Sequence, residues 1–84
     1  MQIFVGNLSC QTTGRQLSGL FSAFGIVRSV KIIFDNYTGR SQGFAFVDMP
    51  QDSHAAHAIK VLNSSMLDSQ FIVVNEVRLE GDNY

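Results

Sequence analysis

The chain has 84 residues, one domain's worth, and its 45% hydrophobic content is enough for a modest core without staples. A single cysteine, Cys10, excludes an internal disulfide framework and a cysteine-rich zinc site, and fits a reducing compartment. Six basic residues face seven acidic ones for a net charge of −1, which excludes a broad basic surface of the kind polyanion binders usually carry.

Ile3-Phe4-Val5 reads as a first strand, with Ile3 and Val5 on one face and Phe4 on the other. Gly6-Asn7-Leu8-Ser9 breaks it. Met1 runs straight into this strand, so no signal peptide is expected, and no stretch is long and apolar enough to span a membrane. Thr13-Gly14-Arg15-Gln16 has capping-box spacing, with Thr13 as N-cap and Gln16 reaching back. Leu17, Leu20, Phe21 and Phe24 follow at helical spacing, and Gly25 ends the helix. Gly14 and Gly19 each weaken it by roughly 1 kcal/mol relative to alanine, so its stability must come from burying that stripe.

Val27 to Phe34 is β-branched and apolar, and reads as a second strand. With Val30 and Ile32 facing a core, Lys31 and Ile33 lie on the opposite face. Asp35 to Arg40 is a turn-rich loop. Gly43 to Met49 is the third strand. Its alternation puts Ala45 and Val47 on one face, and Phe44, Phe46 and Asp48 on the other. Pro50 leads into a second helix with Ala55, Ala58, Ile59 and Leu62 as its apolar face. Asn63-Ser64-Ser65 closes it, and Phe71 to Leu79 is the last strand.

This order, βαββαβ, predicts an α+β domain of ferredoxin-like, split βαβ plan: a four-stranded antiparallel sheet with both helices on one face. The domain is expected over 1–80, with a short tail at 81–84. Two helices shield only one face, so Phe4, Phe44 and Phe46 gather on the open one. Exposed aromatic clusters usually bind something, and any nucleobase stacks on a ring. Tyr84 is read as a frayed end rather than a lid.

The two ring-bearing runs resemble the paired signatures of the RNA recognition motif. The family's octamer runs basic, Gly, aromatic, Gly or Ala, aromatic, Val, any residue, aromatic. Residues 42 to 49 read Gln, Gly, Phe, Ala, Phe, Val, Asp, Met. Gly43 through Val47 match, whereas Gln42 replaces the basic residue and Met49 the last aromatic. The resemblance covers most of the chain, and the compact length is also similar to the short stand-alone bacterial proteins with this motif. It implies that Phe4 and Phe46 stack on bases and that Phe44 packs against sugars.

Lys31, Arg40 and Arg78 are the expected phosphate contacts, with Arg40 partly replacing the base missing at Gln42. Gln2, Asn7, Gln42, Val73 and Asn75 are expected to supply the remaining contacts, and for Asn7 a plain turn role is the competing reading. Asp48 either opposes phosphate or accepts from a base amino group. Tyr37 carries little weight, and Met49 is read as filler. Arg15 and Lys60 belong to the solvated helix surface. His54 and His57 stand one helical turn apart without a third ligand, and Cys10 has no catalytic partner at motif spacing, so no metal, cofactor or catalytic residue is expected.

The expectation is therefore a monomeric, cytoplasmic, non-enzymatic module that binds short single-stranded RNA, with single-stranded DNA as a related ligand. About two or three bases would be stacked. With so little positive charge, the rings must carry an unusual share of the affinity. The alternative is a protein-interaction module of the same fold, docking a partner through the open sheet or the second helix. An enzyme of this fold would need a phosphate cradle or a catalytic dyad, and neither is found.

Overall fold

The structure, a computed structural model, describes residues 1–39 and 41–77, with Ser41 and Gln42 as backbone only. Strand β1 spans Gln2–Gly6, helix α1 Gly14–Ser22, β2 Ser29–Phe34, β3 Ser41–Asp48 and helix α2 Asp52–Leu62. Three short strands follow: β4 Met66–Leu67, β5 Gln70–Phe71 and β6 Val73–Glu76. The main sheet has the order β2-β3-β1-β6 and is antiparallel throughout.

Alternation along the strands sends one set of side chains into the core. Ile3 and Val5 of β1, Ala45 and Val47 of β3, and Val74 of β6 are fully buried. They meet Leu17 and Phe21 of α1 and Ala55, Ala58 and Leu62 of α2, with Leu20, Phe24 and Ile59 packed at the margin. Both helices thus cover one face. The α1 cap forms as its spacing predicts: Thr13 Oγ1 accepts from Gln16 N at 3.2 Å, and Gln16 Oε1 accepts from Thr13 N at 2.8 Å.

Three local expectations are corrected. The second strand begins at Ser29 rather than Val27, and the third runs Ser41–Asp48 rather than Gly43 to Met49. The last strand does not run continuously from Phe71. Ile72 turns away from the ladder, donating its N–H to Ser65 O at 2.9 Å and accepting from Ser64 N at 2.8 Å while its side chain enters the core. Residues 66 to 71 instead fold as a two-residue hairpin, Leu67 facing Gln70, with Asp68 and Ser69 both at positive φ. Positive φ at both turn positions is the mirror-image turn that hairpins favour. Asp-Ser is not its usual dipeptide, which is why the hairpin escaped the sequence.

Gly43 carries a second irregularity. The β2–β3 register slips between Ile32 and Phe34, which face Ala45 and Ser41 in turn, so β3 bulges across this stretch. Gly43 sits there at φ +88°, and its carbonyl accepts from Leu8 N at 2.8 Å. That backbone conformation disfavours any residue with a Cβ. Gly43→Ala is expected to lower unfolding free energy by about 1–2 kcal/mol, read from a denaturant midpoint. An unchanged midpoint would show that the bulge relaxes.

Candidate nucleic-acid interface

The register builds the open face row by row. Lys31 pairs with Phe46, Phe46 with Phe4, and Phe4 with Asn75, so these four side chains cross the whole sheet in one line. A second line at the end of the strands holds Ser29, Asp48 and Gln2. Phe4, Phe44 and Phe46 are half-buried by one another and covered by no helix. Their ring centroids form a near-equilateral triangle: 6.0 Å from Phe4 to Phe44, 6.1 Å from Phe4 to Phe46 and 6.4 Å from Phe44 to Phe46. The Phe4–Phe46 and Phe44–Phe46 pairs are edge-on and the Phe4–Phe44 pair is tilted, so each ring is braced by its neighbours' favourable quadrupole contacts.

Gly6 shapes this platform from within. It follows Phe4 by two positions and shares its face. A Cβ at Gly6 would lie 2.7 Å from Phe4 Cε2, because the ring leans along the strand over the bare backbone.

Lys31 is exposed at the β2 end of the ring row, beside Phe46. Asn75 is exposed at the other end, beside Phe4, with a donor and an acceptor on its carboxamide. Gln2 is exposed next to Asp48, and Val73 adds an exposed apolar contact beside Asn75. Met49 shares the parity of Val47 and lies fully in the core, as a filler. Gln42 lies on β3. Arg40, Arg78, Leu79 and the tail through Tyr84 lie outside the described residues.

Two residues take on a different character from the one their positions alone suggest. Asn7, at φ +57°, spends its carboxamide N–H on the fold: Nδ2 donates to Phe71 O at 2.6 Å, while its backbone carbonyl accepts from Gln70 Nε2 at 2.8 Å. Asp48 is not a bare charge beside the rings. Its Oδ2 lies 3.4 Å from Arg28 Nη1, and the Met1 amine lies 4.0 Å from Oδ1. Arg28 was missed because its partner is twenty positions away in the chain. The backbone bond from Arg28 N to Asp48 O at 2.7 Å sets the pair. Asp48 therefore repels phosphate less than its charge alone suggests.

The loop after β2 is ordered by Asp35, whose Oδ1 accepts from the backbone N–H groups of Tyr37 at 2.7 Å and Thr38 at 3.0 Å. Those bonds favour the carboxylate and hold the Asp35 pKa below its ordinary 3.8. A lowered folded-state value means that the group's contribution is complete above the ordinary value and disappears as pH falls through the folded one. The amide signals of Tyr37 and Thr38 are expected to titrate together, with a midpoint below 3.8. A midpoint at or above that value would show that the turn does not hold the carboxylate.

His57 packs edge-on to Phe24 with ring centroids 5.3 Å apart, and His54 lies against Gly25, so both histidines serve the α1–α2 contact on the covered side. Among the described residues no cluster of three or more His, Cys, Asp and Glu is placed to hold a metal. No helix among them is long and apolar enough to cross a membrane.

Comparison with known proteins agrees with this geometry. The RNA recognition motif matches residues 3–73. "Small RNA binding protein 1" of Cucumis sativus is 38% identical over 78 residues, which cover 93% of this chain and 49% of that protein. The chain thus spans about half the length of this relative. The crystal structure of "RNA Binding Protein PG1" superposes with a TM-score of 0.89 at 38% identity, covering 95% of this chain and 99% of that one. The Rna15 domain with bound RNA (GU) superposes at 0.81 with 29% identity, covering 98% of this chain and 90% of that one. With the βαββαβ order, the open four-stranded sheet and the paired ring signatures in place, the chain belongs to the RNA recognition motif family.

Proposed function

We propose that the chain binds short single-stranded RNA on its open sheet and performs no chemistry on it. The observation that carries this reading is the uncovered triangle of Phe4, Phe44 and Phe46, flanked in one row by Lys31 and Asn75. Phe4 and Phe46 take bases, Phe44 takes sugar, Lys31 takes phosphate, and Asn75 and Gln2 read base edges. On sequence grounds, Arg40 and Arg78 add phosphate contacts, and Gln42 adds a neutral one where relatives use a base. Asn7 acts as the structural clamp of the β4–β5 hairpin. The names of the relatives and the RNA-bound Rna15 domain support the ligand class. The protein-docking alternative is not favoured, because the rings are intact and open.

The test is a titration with a pool of short single-stranded RNA followed by backbone amide shifts. Shifts clustered on β1 and β3 are the expected result. Shifts confined to α2, or none at millimolar RNA, would sink the proposal.

The charge count fixes the salt response. Lys31, Arg40 and Arg78 make at most about three phosphate contacts, so log affinity is expected to fall with log salt at a slope no steeper than about −2. Binding isotherms over a range of salt measure it. A slope clearly steeper than about −2 would mean that basic residues outside this set also meet phosphate.

A further inference from the structure

We propose that Phe71 is a fourth stacking ring, which takes a nucleotide beyond those held by Phe4 and Phe46. This inference rests on the RNA-binding reading above and extends its surface.

Phe71 is 60% exposed on the β4–β5 hairpin, opposite Met66, itself 59% exposed. A ring so placed is costly in water. It also points the right way. Ile72 enters the core and Leu67 of the same hairpin packs against it, while Met66, Phe71 and Val73 are exposed, so the hairpin presents Phe71 to solvent. Val73 pairs with Gly6 and Asn75 with Phe4. Asn7, the neighbour of Gly6, holds Phe71 O at 2.6 Å, so the hairpin stands at the end of β1 toward which the Phe4 ring leans. Four residues separate Phe71 from Asn75, the cross-strand partner of Phe4, a span of at most about 14 Å of extended chain. A single strand a few nucleotides long covers that distance.

The hairpin is held still. On one side Asn7 Nδ2 donates to Phe71 O at 2.6 Å and Gln70 Nε2 donates to Asn7 O at 2.8 Å. On the other, Thr12 Oγ1 donates to Asp68 Oδ2 at 2.6 Å and Gln16 Nε2 to the same oxygen at 3.2 Å. These bonds turn the Asp68 carboxylate toward α1 and away from the RNA path. Four side-chain bonds fix a turn whose outer face is apolar. A ring carried on a backbone already held in place leaves less to be ordered when a base settles on it. Continuity with the ring platform argues for a base rather than a protein side chain as the occupant.

The experiment compares random-sequence RNA pools of about three and about six nucleotides, the shorter sufficing only for the two or three bases such a sheet stacks. Affinity is measured for the unmodified chain, Phe71→Ala, Phe71→Leu and Phe46→Ala. Phe71→Ala is expected to bind the longer pool about 5- to 100-fold more weakly and the shorter pool within about twofold of the unmodified chain. Phe71→Leu keeps the apolar bulk against Met66 and is expected to lose as much as alanine, since stacking needs the flat face. It also serves where the alanine chain fails to fold, which the amide spectrum shows. If Phe46→Ala weakens both pools while Phe71→Ala weakens neither, the fourth ring is overturned and the RNA-binding reading stands. Equal losses on both pools would overturn it too, because Phe71 would then act through the platform's shape. If Phe46→Ala costs nothing, the underlying reading fails and this inference fails with it.

Discussion

Removing the Phe21 ring is expected to cost about 3–5 kcal/mol of stability, the usual cost of truncating a fully buried aromatic side chain to alanine. Phe21 has no exposed surface and is the largest fully buried side chain among the described residues. It lies on α1 in the same core cluster as Leu17 of that helix and Ile3 and Val47 of the sheet. Domains of this size hold about 5–15 kcal/mol in total, so Phe21→Ala leaves a thin margin. At about 4–8 °C per kcal/mol, thermal unfolding should move down by roughly 12–40 °C. Circular dichroism on heating measures this, and a shift under about 5 °C would mean that the core collapses around the gap. RNA affinity per folded molecule should be unchanged, since the ring lies on the far side of the sheet from the platform.

Phe46→Ala should give the reverse pattern. The ring is central in its row, between Lys31 and Phe4, and half-exposed. Its loss removes one stacking face, about 1–3 kcal/mol of binding. It also removes two edge-on contacts that brace Phe4 and Phe44. Such contacts are worth about 0.5–1.5 kcal/mol each, so the fold should survive with a small loss. Calorimetric titration with single-stranded RNA, on samples shown to be folded, measures the binding term. Unchanged affinity would remove the basis for a stacking interface. With few cations on this chain there is little to compensate for a lost ring, so the effect should persist at high salt.

These two phenylalanines show what was legible in the sequence. Periodicity of two puts Phe46 outside and Val47 inside, and periodicity near 3.6 puts Leu17 and Phe21 under the sheet. Both patterns are local, and both stand in the structure. The Thr13 capping box is local too, and it forms. What escaped depends on partners distant in the chain or on unusual turn residues. Arg28 meets Asp48 only after β2 and β3 pair. The hairpin at 66 to 71 rests on Asp68 and Ser69 at positive φ, where glycine or asparagine would have announced the turn. Asn7 looks like a candidate base contact until the hairpin arrives to claim its carboxamide. The slip around Gly43 is invisible without the register, although the glycine itself belongs to the motif.

Phe4 owes its posture to an omission two positions on. Its ring rests over Gly6, at a spot where even a methyl group would intrude at 2.7 Å. One stacking surface is thus written by two codons: one supplies the ring and the other leaves the floor flat beneath it. A change at position 6 would alter ligand affinity without touching ligand, by tipping the ring rather than removing it. In this chain the tuning of an aromatic surface reaches residues that contribute no side chain at all.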